Sequence, residues 1–212
     1  YALMQTIKIV KEDEVIILGS TCSVMVNAIL KLQAKPIYVD IDRVTFGSQP
    51  KNVIRKITKK TKMIIVQHSF GIPSEILEIQ KVAKTKNIFL LEDCALTLGS
   101  KLNGVTCGNF GDAALFSTDH TKLINTITGG LIYTKNMSYY NKLKEIQNNS
   151  ENLSKPKQKM LHEQFLFEYK YCNPRHAKKM RLISSLRSRI KPNFNPFLND
   201  EFGTNVYSGY PY

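Results

Sequence analysis

The sequence of 212 residues contains no apolar run long enough to cross a bilayer, and nothing near Tyr1 resembles a signal peptide. The four cysteines, Cys22, Cys94, Cys107 and Cys172, include no Cys-x-x-Cys pair, and no histidine stands at a metal-finger distance from them. This spacing disfavours a structural zinc site, and we expect no bound metal. Scattered cysteines are typical of reduced thiols, so we expect a cytoplasmic protein that does not enter the membrane.

Acidic residues are scarce relative to basic ones: 17 Asp and Glu face 30 Lys and Arg, which gives a formal net charge of +13. One basic concentration, residues 175–191, could attract polyanions or a phosphorylated substrate, although a solvated helix face is the simpler interpretation. Aromatic residues are not interleaved with these charges, as they are in platforms for single-stranded nucleic acid. Nucleic acid is therefore not an expected partner.

Short, almost continuously apolar segments alternate along the chain with segments of helical periodicity. The predicted strands are 14–18, 36–39, 62–66, 88–91, 113–116 and 130–134. Buried apolar strands separated by helices indicate a mainly parallel sheet that is covered on both faces. We therefore predict a three-layer αβα domain in which six strand ends converge on a composite site.

The pattern changes after residue 148, so we predict a large-domain core over 1–148 and a linker with a basic helical excursion over 149–212. Within the excursion, Pro174 is predicted to end a helix over 157–171, ahead of a basic helix at 175–190. The excursion could cap the site or pack on a partner subunit. The chain begins inside a helical pattern and without Met, and we expect it to be a fragment of a longer protein.

Two chemically suggestive residues follow predicted strands, where ligands bind in parallel sheets. Lys122 is the single lysine of residues 116–130, and Asp93 lies just beyond the predicted strand 88–91. A lysine amine can form a Schiff base, act as a base or clamp a phosphate, and an aspartate can keep a ring nitrogen protonated. The pair suits pyridoxal phosphate, with hydroxyls such as that of Ser117 for the phosphate. On spacing alone, a loop lysine and a helix-capping aspartate explain the same residues.

Several motifs between residues 1 and 135 occur in a specific order and spacing. They are 13–16 (DEVI), 20–21 (ST), 27–30 (NAIL), 34–42 (AKPIYVDID), 92–99 (EDCALTLG), 108–117 (GNFGDAALFS) and the glycine pair 129–130. In this order they resemble the DegT–StrS family of pyridoxal-phosphate-dependent sugar aminotransferases. The resemblance implies the large domain of a fold-type I enzyme, without its N-terminal part and its C-terminal small domain.

The resemblance also implies roles for individual residues. Lys122 would bond covalently to pyridoxal 5'-phosphate, Asp93 would pair with its ring nitrogen, and Ser117 would bind its phosphate. Cys22 stands at the cofactor-binding position where the family usually has a stacking aromatic. The implied enzyme is a homodimer with shared sites. It moves an amino group from an amino acid, typically glutamate, to a keto group of a nucleotide-linked sugar for polysaccharide biosynthesis.

Three positions depart from the family pattern. Besides Cys22, Leu96 replaces a polar residue, and Ile127 and Thr128 replace a Gly-Glu pair before the final glycines. Two alternatives therefore stay open, a sugar dehydratase and a catalytically idle homologue with a regulatory or binding role. In the related dehydratases a histidine replaces the lysine, and since Lys122 is in register, amino transfer is favoured.

Overall fold

The computed structural model describes residues 1–43 and 45–187, and side chains as far as residue 171. The helices are α1 (Ala2–Thr6), α2 (Ser23–Leu30), α3 (Pro50–Lys56), α4 (Ile76–Thr85), α5 (Met137–Asn148) and α6 (Lys155–Arg187). The strands are β1 (Glu14–Leu18), β2 (Lys35–Val39), β3 (Thr61–Gln67), β4 (Phe89–Asp93), β5 (Lys101–Leu102), β6 (Val105–Thr106), β7 (Ala113–Ser117) and β8 (Gly130–Tyr133).

Six strands form one sheet in the order β2-β1-β3-β4-β7-β8, and the first five run parallel. The predicted mainly parallel sheet is thus confirmed. The expectation that six strand ends converge is wrong for β8, which runs antiparallel to β7 because the chain reverses direction over residues 118–129. Its first residue, Gly130, instead pairs with Ser117 and so reaches the same edge. The short β5–β6 hairpin was not predicted from the sequence.

Alternation along β1 shows why helices cover both faces of the sheet. Val15 and Ile17 belong to a cluster that packs against residues of α1, α2 and α5, whereas Ile16 and Leu18 belong to a second cluster with residues of α3 and α4. All four side chains are at most 1% exposed. Successive side chains of a strand point to opposite faces, so a continuous apolar run requires cover on both sides. The predicted three layers are confirmed.

The long helix α6 corrects one boundary. Pro174 does not end a helix, since α6 continues without interruption over 33 residues, from Lys155 to Arg187. A proline removes only its own N–H from the helical ladder, and a helix can continue past it with a kink. Residues 188–212, including the end of the predicted basic segment, lie outside the described residues. In the part of the chain that is described, no helix combines the length and apolarity needed to span a bilayer.

Candidate cofactor site

A cavity of about 400 Å³ opens at the carboxyl edge of the sheet, beyond β1, β3 and β4. It brings together three of the four predicted site residues, Cys22, Asp93 and Lys122, from segments that are far apart in the sequence. Since Asp93 pairs with Leu115 across β4 and β7, the segment that follows β7 and carries Lys122 begins beside β4. The parallel topology therefore places a carboxyl and an amine on one cavity wall.

Ser117, the fourth predicted residue, lies at the last position of β7 and is not among the residues that line this cavity. Its Oγ accepts a hydrogen bond from the backbone N–H of Asp119 at 3.3 Å. The hydroxyl thus helps to shape the turn that leads to Lys122. Its role in binding phosphate stays a prediction.

Asp93 is a nearly buried carboxyl at the end of β4, with 7% of its surface exposed. Its Oδ1 accepts a hydrogen bond from the N–H of Ala95 at 3.0 Å. Burial raises the pKa of Asp93 above its ordinary value, although the Ala95 N–H and the charge of Lys122 oppose this effect. A nearby positive charge stabilises the ionised form of a buried carboxyl, and a protonated ring nitrogen would supply that charge.

Glu92, the neighbour of Asp93, is fully buried but has the opposite electrostatic character. Its Oε1 accepts hydrogen bonds from the N–H groups of Phe110 and Gly111, both at 2.7 Å. Its Oε2 accepts from the N–H of Gly108 at 2.7 Å and from a ring nitrogen of His68 at 3.1 Å. Burial alone would raise the pKa of Glu92, but these hydrogen bonds outweigh it and lower the pKa.

The ring of His68 is held at both nitrogens. Its Nδ1 accepts a hydrogen bond from the N–H of Ser74 at 3.0 Å, so the ring proton is placed on Nε2 and is donated to Glu92. His68 also lines the cavity beside Asp93. Neither His68 nor Glu92 was predicted as a site residue, because the hydrogen bond that joins them spans 24 residues of the sequence.

His68, Glu92 and Cys94 present ligand-type atoms within 4.8 Å of one another, which is the spacing of a potential metal cluster. Both nitrogens of His68 and both oxygens of Glu92 are already used in internal hydrogen bonds. Burial raises the pKa of the Cys94 thiol, which disfavours the thiolate that a metal requires. His68 and Glu92 are therefore better described as a hydrogen-bonded pair beside the cavity than as ligands of a metal.

The turn that carries Lys122 is closed by its own threonines. Thr126, which is 7% exposed, donates its N–H to the carbonyl of Thr118 at 2.8 Å. The two hydroxyls of this pair lie 2.7 Å apart. Lys122 itself is half-buried, and its N–H donates to the carbonyl of Asp119 at 2.9 Å. The lysine is thus presented by an ordered turn.

Helix α6 also contacts this turn. The side-chain amide of Gln164 donates to the carbonyl of Asn125 at 3.0 Å, and Glu168, one turn further along, is 1% exposed. Positions four residues apart lie on one face of a helix, so this face packs toward the lysine turn. The helical excursion predicted from the sequence therefore reaches the vicinity of the site, although no local sequence signal could indicate this contact.

Two aromatic residues that line the cavity were not predicted from the sequence. Phe46 and Phe70 both line the cavity, and their rings meet edge to face with centroids 6.2 Å apart. Both have φ of 55°, which is unusual for a residue with a side chain. Each precedes a glycine in the sequence, and a following glycine is the one local sequence signal that could have indicated an unusual turn at these positions. The cavity therefore has aromatic walls although Cys22 supplies none.

Ile127, one of the departures from the family pattern, has φ of 69°, a left-handed conformation that β-branched residues rarely adopt. The family glycine that it replaces would adopt this conformation without strain. We expect Ile127→Gly to raise the free energy of unfolding by about 1 kcal/mol in urea denaturation, because Ile127 is 44% exposed and little packing is lost. Ile127→Ala keeps a Cβ and is the control, and equal stabilities of the two variants would contradict the strain argument.

The residues of the cavity fit pyridoxal phosphate chemically. An amine, a buried carboxyl that gains from a cation, and aromatic walls line one space, and the hydroxyls of Ser20 and Thr21 join them there. These are the groups that a Schiff-base-forming, phosphorylated pyridine requires. Lys122 would hold the aldehyde carbon and Asp93 the ring nitrogen.

Solved structures share the fold of this chain. An aminotransferase from Psychrobacter cryohalolentis matches 98% of this chain and 60% of its own chain, with a TM-score of 0.80 and 18% identity. The E. coli GDP-4-keto-6-deoxy-D-mannose-3-dehydratase with bound hydrated PLP matches 88% of this chain and 55% of its own, with a TM-score of 0.72 and 24% identity. At these identities the likeness shows the fold, and the predicted fold-type I architecture is confirmed.

Sequence relatives give the family. The GDP-perosamine synthase of Escherichia coli O157:H7 is 40% identical over 130 residues, which are 61% of this chain and 36% of that protein. The chain spans about a third of the length of the curated relatives that it matches first. The model of the DegT/DnrJ/EryC1/StrS aminotransferase family matches residues 1–187. With most of its length matched, the chain belongs to this family, whose members depend on pyridoxal phosphate.

Proposed function

We propose that the protein binds pyridoxal phosphate and transfers an amino group from an amino acid to a keto group of a nucleotide-linked sugar. The observation that carries this proposal is the joint presence of Lys122 and Asp93 in one cavity at the carboxyl edge of the sheet. Family membership adds the expectation of amino transfer. The name of the GDP-perosamine synthase relative supports a nucleotide sugar as the substrate class.

Each residue has a physical task in this proposal. The cofactor, when bound, supplies an electron sink for the amino-bearing carbon. Lys122 would hold the cofactor through its amine, and the same amine, when free, would carry a proton between the substrate and cofactor carbons. Asp93 would keep a proton on the ring nitrogen, because a nearly buried carboxylate stabilises an adjacent cation. Ser117 and the hydroxyl of Thr21 are proposed to hold the phosphate.

The test is spectroscopic. The protein is incubated with pyridoxal phosphate, freed of excess cofactor and examined for a visible absorption band. We expect a yellow protein that loses this band on addition of glutamate, because the amino group then resides on the cofactor. A protein that is colourless after incubation with saturating cofactor and removal of the excess would overturn the proposal. This result would favour a catalytically idle homologue. A panel of nucleotide keto-sugars, followed by mass spectrometry, then identifies the acceptor.

A dehydratase is the second candidate, since the solved structures of similar fold include sugar dehydratases. His120 lies two residues before Lys122, but its ring is 72% exposed and bound to Asp119, and it does not line the cavity. This placement favours transfer over dehydration. The two reactions differ in product mass, because transfer adds nitrogen to the sugar whereas dehydration removes its oxygen.

We further propose that the protein acts as a homodimer in the cytoplasm, in the supply of amino sugars for polysaccharides. Apolar side chains on β8 and α6, such as Leu131, Phe165 and Tyr169, are 46–80% exposed and would support self-association. Cys94 and Cys107 are buried free thiols, which is consistent with a reducing compartment. Light scattering of the purified protein tests the dimer.

A further inference from the structure

We propose that Glu92 and His68 form a positioning pair that fixes the cavity wall next to Asp93. Neither residue is assigned a step in amino transfer. Their task is to hold the peptide and the ring that adjoin the catalytic carboxyl. The inference rests on the proposed function for its consequence, because Asp93 acts there on the cofactor.

The first support is the completeness of the hydrogen bonding around Glu92. Its two oxygens accept four hydrogen bonds, three from backbone N–H groups of residues 108–111 and one from His68. A fully buried carboxylate is tolerated only where such partners replace its water. Hydrogen bonds from the protein therefore stabilise the charge of Glu92 without a ligand. Asp93 has fewer such donors.

The second support is the direct connection from His68 to Asp93. The backbone N–H of His68 donates to the carbonyl of Asp93 at 3.0 Å. The carbonyl of His68 accepts from the hydroxyl of Thr97 at 2.8 Å. The ring of His68 is held by Ser74 and Glu92, so the hydrogen bonds of His68 connect the Glu92 carboxylate to the backbone of Asp93. A shift of the Glu92 carboxylate would therefore be transmitted to the catalytic carboxyl.

The third support is that an amide cannot replace this carboxylate. In Glu92→Gln the new NH₂ group faces two donors in either orientation, either those of Phe110 and Gly111 or those of Gly108 and His68. His68 could accept from it only by moving its own proton to Nδ1. That nitrogen already faces the N–H of Ser74. Because the N–H of Ser74 keeps the proton of His68 on Nε2, the amide leaves a donor facing a donor in both orientations.

The loop 108–111 supplies a matched control. The side-chain amide of Gln80 donates to the carbonyl of Phe110 at 2.6 Å, which ties the same loop without contacting His68. Gln80→Met removes this tie and keeps the side-chain length. A merely structural role of Glu92, in holding the loop, would make the two variants alike.

The experiment compares wild type, Glu92→Gln and Gln80→Met with two measurements. Nitrogen-15 NMR of the histidine rings in cofactor-free protein reports the tautomer of His68. We expect the Nε2–H form in all three proteins, because the N–H of Ser74 faces Nδ1, and a shifted Nε2 resonance only in Glu92→Gln, where a neutral amide replaces the charged acceptor. We also expect Glu92→Gln to bind pyridoxal phosphate roughly tenfold more weakly, as for outer-shell partners of bound metals. Its kcat should fall on the order of 100-fold, as expected for a misplacement of about 1 Å.

An unchanged Nε2 resonance of His68 in folded Glu92→Gln, or equal losses in Glu92→Gln and Gln80→Met, would overturn the positioning role. If Glu92→Gln does not fold, the wild-type spectrum decides, because a charged or Nδ1–H ring of His68 contradicts the pair. A wild-type protein that binds no pyridoxal phosphate would overturn the proposed function alone, since the tautomer measurement needs no cofactor.

Discussion

Replacing Lys122 with alanine is expected to abolish covalent cofactor binding and to lower amino-group transfer by at least about 10³-fold. Lys122 is half-buried in the cavity that Asp93 also lines, and no other lysine of the described part lines it. An amine cannot be supplied from the surrounding hydroxyls and aromatic rings. The loss should therefore fall on the chemical step rather than on folding.

The measurement combines borohydride reduction with mass spectrometry, because reduction turns a lysine–cofactor link into a stable bond at an identifiable residue. Wild type should carry the added mass on Lys122, and Lys122→Ala should carry none. Lys135→Ala is the matched control, since Lys135 is exposed beyond the end of β8. If Lys122→Ala still acquires the cofactor mass, or if Lys135→Ala loses it, the assignment of Lys122 fails.

The sheet could be predicted from the sequence because its signal is local. The predicted boundaries of β1 coincide with the observed strand Glu14–Leu18, since a buried central strand is apolar at nearly every position. The direction of β8 is different. Its four residues are all exposed, so their apolar character indicates neither which strand β8 pairs with nor in which direction it runs. The direction of β8 is set by the path of the chain between Ser117 and Gly130.

The candidate site divides in the same way. Lys122 and Asp93 could be predicted to meet, because parallel strands bring their carboxyl ends to one edge. The different characters of Glu92 and Asp93 could not, because they arise from backbone donors 16–19 residues further along the chain. The contact of Gln164 with Asn125 spans 39 residues and leaves no periodic trace.

Replacing Asp93 with asparagine is expected to have opposite effects on stability and on activity. Burial raises the pKa of Asp93, so the folded protein binds its proton more tightly than the unfolded chain. Its favourable contribution is complete below the ordinary aspartate pKa of about 3.9 and is lost as the pH rises through the raised pKa of the folded state. Asp93→Asn avoids this loss and can still accept the N–H of Ala95.

Urea unfolding of the cofactor-free protein between pH 4 and pH 8 measures this difference. We expect Asp93→Asn to gain stability over wild type as the pH rises, by about 1.4 kcal/mol for each pKa unit through which burial displaces the carboxyl. Asp40→Asn, at an exposed position after β2, is the control for the same replacement at the surface. A stability difference that does not change with pH would contradict the linkage.

Amino-transfer activity should fall in Asp93→Asn although stability rises. The buried charge of Asp93 destabilises the cofactor-free protein, but the same charge would pair with the protonated ring nitrogen of the cofactor. An asparagine amide carries no charge to hold a proton on the ring nitrogen, so amino transfer in Asp93→Asn should fall on the order of 10²-fold or more. Bound pyridoxal phosphate should stabilise wild type more than the variant, which reverses the order of stabilities seen without cofactor. A variant that is both more stable and fully active would show that Asp93 does not pair with the ring, whatever the role of Lys122.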